Sequence, residues 1–274
     1  MHSQPTRTRY RLGFLGAGKL AGSVMRGLVR SNFLPAAEMI AGEPNEQARL
    51  TLEKEIGIAT SANNAEVAER ADILFISVKP AIVLPVLRDA AVATDKLIIS
   101  LAAGVRLQAM EAVTAGRVMR AMTNTPSAIC RAATALARGS RSIEADVAAA
   151  KQIFEAIGAV VEIAEDQIDA VTALSGSGPA FVYTVIEALA EGGVQAGLSR
   201  EMALILATQT VLGASQLAGE TKLPPEELRK MVVTPGGTTA AGLAAMDKHG
   251  TSAGLIAAVE AATKRGQEMA AENS

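Results

Sequence analysis

Aromatic residues are scarce in this chain. Its 274 residues include two Tyr, five Phe and no Trp, although 49% of all residues are apolar. A core must therefore be assembled from Ala, Val, Leu, Ile and Met, which suits closely packed helices. Cysteine is almost absent: Cys130 stands alone, so no intrachain disulfide can form, as suits a reducing compartment. The two histidines, His2 and His249, give no His/Cys/carboxylate set with metal-ligand spacing and no Ser–His pair for nucleophilic catalysis. There is no basic surplus either. Lys and Arg number 26 against 28 Asp and Glu, which excludes a general polyanion binder, and the cluster Arg7, Arg9, Arg11 reads as a solvated tail. No apolar run approaches the roughly 18 residues of a membrane span, and polar residues 1–11 contain no signal-peptide core. These absences lead us to expect a cytoplasmic protein that uses neither nucleic acid, membrane nor metal.

The stretch from Arg11 to Gly22 organises the rest. Leu12–Leu15 reads as a buried strand, Gly16-Ala17-Gly18-Lys19-Leu20-Ala21 follows at once, and Ser23–Arg30 is helix-compatible. Strand, glycine turn and helix in that order make a dinucleotide-binding turn. Gly16 permits the bend, Gly18 lets a pyrophosphate approach the backbone, and the helix start offers free N–H groups. The same letters without strand and helix would describe only a glycine-rich turn.

Residues 1–10 read as a flexible leader. Apolar runs then alternate with helical stretches: Leu12–Leu15, Met39–Ala41, Ile73–Val78, Leu97–Leu101 and Arg117–Met122 as strands, with Thr134–Ala137 and Val160–Ile163 as further ones. The unbroken apolar runs suit strands covered on both faces, and the alternation predicts a parallel, doubly wound sheet over residues 11–164. From 165 to 274 strand signals vanish. Helical spacing at Phe181, Val185 and Leu189, Pro179 and Pro224-Pro225 at helix starts, and Gly192-Gly193 and Gly197 as helix weakeners or ends describe an all-helical domain. Its helices are rich in Ala, Gly and Met with thin polar faces, which predicts a subunit interface.

In such a sheet ligands sit at the carboxyl ends of strands. There the sequence places Ser77-Val78-Lys79-Pro80, Leu101-Ala102-Ala103-Gly104 and Met122-Thr123-Asn124-Thr125-Pro126. Glu43 lies just past the second strand, where a carboxylate accepts from ribose hydroxyls and repels a 2′-phosphate. With Arg49 the nearest cation, the sequence leans to NAD over NADP. The helical region adds two hydroxyl-bearing glycine loops, Leu174–Pro179 and Val233–Thr239, suited to a small carboxylate. Few acid–base residues are available. Reduction of a C=N bond asks for few, since a protonated iminium is already electrophilic and needs mainly positioning and shielding.

Taken in order, Ser77–Pro80, Met122–Pro126, Asp169-Ala170-Val171-Thr172 with Leu174–Pro179, and above all Thr234-Pro235-Gly236-Gly237-Thr238-Thr239 make the chain resemble pyrroline-5-carboxylate reductase from about Leu12 to its end. The resemblance implies reduction of 1-pyrroline-5-carboxylate to L-proline with NADPH or NADH, by direct hydride transfer to ring C5. It also implies a Rossmann domain followed by a helical dimerisation domain, with dimers often assembled into decamers. By the family's pattern Leu15, Gly16, Ala17, Gly18, Lys19, Leu20, Asn63, Ser77, Val78, Lys79, Pro80, Leu101, Ala102 and Ala103 would line the cofactor, beside the Glu43 placed there by position. Gly237, Thr238, Thr239, Glu165 and Ser177 would meet the substrate, with the Thr239 hydroxyl orienting the ring nitrogen and relaying its proton. Two departures bear on the cofactor: Glu43 replaces a small hydroxyl residue that can favour NADPH, and Met231 replaces an Asn that can contact it. The resemblance also expects the glycine turn and the threonine bend to share one cavity, within a subunit or across a pair. A β-hydroxyacid dehydrogenase shares the domain plan but wants a catalytic lysine early in the helical domain. After Pro179 the next lysine is Lys222. A nicotinamide-sensing scaffold would keep the glycine turn without needing Thr238-Thr239.

Overall fold

The structure is a computed structural model that describes residues 8–273. Residues 1–7 of the expected leader, with His2 and Arg7, lie outside the described residues. Tyr10 is not part of a leader: it opens the first strand, and the Arg70 guanidinium lies 5.0 Å from its ring centroid.

The elements run β1 (Tyr10–Leu15), α1 (Lys19–Arg30), β2 (Met39–Gly42), α2 (Glu46–Ile56), β3 (Ala59–Ser61), α3 (Asn64–Arg70), β4 (Ala71–Ile76), α4 (Val83–Ala90), β5 (Leu97–Ser100), α5 (Leu107–Glu111), β6 (Arg117–Met122), β7 (Ala132–Arg138), α6 (Glu144–Glu155) and β8 (Gly158–Glu162). They form one eight-stranded sheet in the order β3-β2-β1-β4-β5-β6-β7-β8. β1 pairs in parallel with both β2 and β4, so the strand order reverses at β1, the switch point where such sheets bind ligands. Apolar clusters cover both faces. In one of them Phe14 stacks on Phe75 at 4.7 Å between centroids, and Phe154 meets Phe75 edge-on at 6.0 Å.

Two features depart from the sequence expectation. β7 runs antiparallel to β6, because residues 123–131 hold only a short 3-10 turn, Thr125–Ile129, and a parallel return needs a longer crossover. β3 was not foreseen, since three residues at a sheet edge carry no readable period.

After the sheet come α7 (Ile168–Val171), α8 (Gly178–Gln195), α9 (Arg200–Thr221), α10 (Pro225–Met231), α11 (Thr238–Lys248) and α12 (Thr251–Glu272). The chain divides into two compact units: residues up to Ser177 together with those from Ala261 onward, and Gly178–Glu260. The sheet thus keeps α7 and the end of α12, where Gly266 and Ala270 are buried. In the second unit α8 and α9 pack through Ala190, Ala203 and Ala207, with Ile186 and Val194 beside them. Gly192-Gly193 does not interrupt α8 as expected. A Cβ on Gly193 would lie 3.1 Å from that of Ala203, so this glycine lets the helices approach, and the left-handed Gly197 (φ +102°) ends the turn. Contrary to the sequence expectation, α9 is long and apolar enough by length and composition to cross a membrane, at mean hydropathy 1.3.

Candidate functional site

The residues assigned to the cofactor gather on one edge of the sheet. Leu15–Leu20 follow β1, Glu43 follows β2, Asn63 follows β3, Ser77–Pro80 follow β4, and Leu101–Ala103 follow β5. These are five adjacent strands, all parallel to their neighbours. Backbone bonds continue the sheet past its strands and fix the loops: Glu43 N–H to Ser61 O at 3.0 Å, Gly16 N–H to Gly42 O at 3.1 Å, Ser77 N–H to Leu15 O at 2.9 Å and Leu101 N–H to Ile76 O at 2.8 Å.

Gly16 adopts φ +93°, and a Cβ there would lie 2.6 Å from Val78 Cγ1 and 2.8 Å from Ser77 O. Only glycine fits both the backbone angle and the space. Gly18 opens α1 in extended conformation, faces open space, and no side chain caps the helix. The first turn of α1 contains no acidic residue, so its N–H groups and positive end are available to a phosphate. Lys19 and Lys79 are exposed and Ala17 is half-buried. Asn63 caps α3, its Oδ1 accepting from Ala65 N–H at 2.9 Å.

Glu165 is fixed as well. Its Oε1 accepts from Leu107 N–H at 2.6 Å and from Arg120 Nη1 at 3.1 Å. Sequence reasoning passed over Arg120, which is 2% exposed on β6 with Nε and Nη2 unpartnered among the described residues. Burial pushes its guanidinium pKa down, while the bond to Glu165 and the charge of Asp169 act to raise it. An arginine inside the otherwise apolar run Val118–Met122 was the signal available. Asn124 joins β7 to the segment after α7: its Nδ2 donates to Ser175 O at 2.9 Å and its Oδ1 accepts from Ala133 N–H at 3.2 Å. The expected loop at Leu174–Pro179 is instead a π-helical turn over Thr172–Gly176, closed by Ser177 N–H to Thr172 O at 2.8 Å, with Gly178 and Pro179 already in α8. Thr172 and Ser175 hydroxyls bond carbonyls four residues back, which favours such widened turns.

In the second unit, Gly236 takes φ +74° and Gly237 is the N-cap of α11, with no side-chain cap. Thr238 and Thr239 are therefore its first helical residues rather than its caps, exposed and half-buried respectively. Their N–H groups and the helix dipole make this end suitable for a carboxylate. Met231 is 72% exposed at the end of α10. Among the described residues, no three His, Cys, Asp or Glu side chains stand together as metal ligands.

Comparison with known proteins agrees over nearly the whole length. A family model described as pyrroline-5-carboxylate reductase dimerisation matches residues 165–269. One described as NADP oxidoreductase, coenzyme F420-dependent, matches residues 11–104. The pyrroline-5-carboxylate reductase of Methanosarcina acetivorans is 40% identical over 263 residues, 94% of this chain and 97% of its own. That of Pisum sativum is 41% identical over 263 residues, covering 95% and 96%. The solved structure of the Plasmodium falciparum pyrroline carboxylate reductase with NADP bound gives a TM-score of 0.87 at 30% identity, covering 95% of this chain and 98% of that one. The Coxiella burnetii pyrroline-5-carboxylate reductase gives 0.85 at 34%, covering 96% and 99%.

Proposed function

Since the chain belongs to the pyrroline-5-carboxylate reductase family, we propose that it reduces 1-pyrroline-5-carboxylate to L-proline with NAD(P)H. The observation that carries the chemistry is the uncapped start of α1 behind Gly16 and Gly18, set at the switch point of the sheet. Those residues fit a dinucleotide: the turn exposes backbone, and no first-turn carboxylate opposes a pyrophosphate. The bound nicotinamide supplies the hydride.

The chain's own residues do the positioning. Leu15–Leu20 would hold the phosphates, and Ser77–Pro80, Leu101–Ala103, Asn63 and Glu43 would hold the rest of the dinucleotide. At the start of α11 the N–H groups of Thr238 and Thr239 hold the substrate carboxylate. The Thr239 hydroxyl accepts the iminium N–H and so orients the ring; once the C=N bond is reduced, it relays a proton from solvent to the amine nitrogen. Gly237 gives the carboxylate room, with Ser177 and Glu165 completing the substrate contacts. Arg120 holds Glu165 in place. The substrate arrives as an iminium, so orientation and exclusion of water carry most of the catalysis.

The same proposal takes residues 165–274 as a helical dimerisation domain and residues 11–164 as the dinucleotide domain. Exposed Tyr183, Ile205, Leu206, Leu212 and Ile256 form the surface that a second copy covers, and α9 belongs to that interface rather than to a membrane. Dimers assemble further into a decamer, and the enzyme works in the cytoplasm. The test is loss of NAD(P)H absorbance on adding 1-pyrroline-5-carboxylate, with proline formed in equal amount. Consumption with hydroxyacids and none with the imine would overturn the reading.

A further inference from the structure

We propose that Glu43 makes this enzyme select NADH over NADPH, because its own carboxylate occupies the place a 2′-phosphate would need. The inference rests on the reductase reading above and concerns which nucleotide that site prefers.

Position comes first. Glu43 is the first residue beyond β2, and Gly42 before it accepts the N–H of Gly16 in the glycine turn at 3.1 Å. At this strand end of a doubly wound sheet a carboxylate accepts from the ribose 2′-hydroxyl, and an arginine serves instead where that oxygen is phosphorylated.

The residue is also held. Its N–H donates to Ser61 O at 3.0 Å, and its carbonyl accepts from Arg49 Nη1 at 2.9 Å. Its Oε1 accepts from Asn45 N–H at 3.0 Å. Oε2 has no partner among the described residues, which leaves an acceptor for a ribose hydroxyl.

The helix start nearby is already engaged, and so is one nitrogen of Arg49. Asn45 N–H at the start of α2 binds Glu43, and Ala48 N–H in the first turn binds Asn45 Oδ1 at 2.9 Å. Arg49 places Nη1 on the carbonyls of Glu43 and Pro44, at 2.9 and 3.0 Å. A second anion seated here would face a carboxylate that has taken the helix start for itself. Repulsion between like charges at contact range on a half-exposed surface corresponds to about 10-fold or more in affinity.

The experiment is calorimetric titration of the full chain with NADH and NADPH, and with adenosine 5′-phosphate and adenosine 2′,5′-bisphosphate, which lack nicotinamide. Wild type should bind NADH at least about 10-fold more tightly than NADPH, and the two fragments should rank the same way. Glu43→Gln, nearly isosteric, and Glu43→Ser should close the gap to within about 3-fold by strengthening the 2′-phosphorylated member of each pair. Equal or tighter binding of NADPH by wild type would overturn the proposal. So would variants that weaken both nucleotides alike, which would make Glu43 a support for the loop only. Turnover of 1-pyrroline-5-carboxylate measured alongside separates the two readings. Turnover with NADPH preferred overturns the selectivity alone, whereas no turnover with either nucleotide overturns the reductase reading and the selectivity with it.

Discussion

The two compact units treat their apolar residues in opposite ways. In the sheet unit Phe14, Phe75 and Phe154 are fully buried and apolar clusters cover both faces. In Gly178–Glu260 the only buried side chains are three alanines, while leucines, isoleucines and a tyrosine on α8, α9 and α12 stand at the surface. Both regions are apolar by composition, yet only the first encloses its core within one chain. Burial therefore depends on which surfaces a chain can supply for itself, and the second unit carries the surface that we assign to a partner.

Substitutions can break or sharpen this contrast. The largest loss of stability should come from Phe75→Ala, which removes the ring that both other phenylalanines touch. We expect about 4 kcal/mol in urea unfolding, and a loss below about 1 kcal/mol would mean the sheet core is not the anchor.

Next is the pair of half-buried Arg117 and buried Asp146, with Nε to Oδ2 at 2.7 Å and Nη2 to Oδ1 at 3.0 Å. Asp146→Asn should cost about 2 kcal/mol by weakening two charged hydrogen bonds to a half-buried arginine. Burial acts to raise the Asp146 pKa, but the bonds from Arg117 and the Ile143 N–H outweigh it and hold the carboxyl below its ordinary value. A carboxyl depressed by folding contributes its stability above the unfolded value of about 3.9 and loses it as pH falls through the lower folded one. Unfolding curves of wild type should thus weaken below about pH 4, and Asp146→Asn should flatten that decline.

In the second unit, Thr239→Ala should cut turnover about 100-fold and change nucleotide binding little. Equal turnover would remove Thr239 from the chemistry. The smallest effect on a chain's own fold should come from Ile205→Ser on α9. Circular dichroism should be unchanged while light scattering reports smaller particles, and an unaltered mass would place the interface elsewhere.

How much of this was legible depended on range. Strands such as β4 and β5 announced themselves because burial on both faces requires unbroken apolar runs. The glycine turn was legible because its function constrains backbone, and backbone constraints appear as glycine. The reversed β7 was not, since its direction depends on the length of the link before it. The π turn was hidden too, because its serine and threonine bonds resemble those of a loop. Arg120 was the plainest omission: a single charge in an apolar strand is visible in sequence, but its partner Glu165 lies 45 residues away.

The end of α12 adds a consequence for biosynthesis. Met269 lies against Gly104, and Gly266 against Asp169, so the sheet unit includes a segment translated only after the whole of Gly178–Glu260. A nascent chain can pair all eight strands early and still lack a piece of that body until the end of α12 emerges. Deleting the final dozen residues would therefore injure the half of the molecule made first.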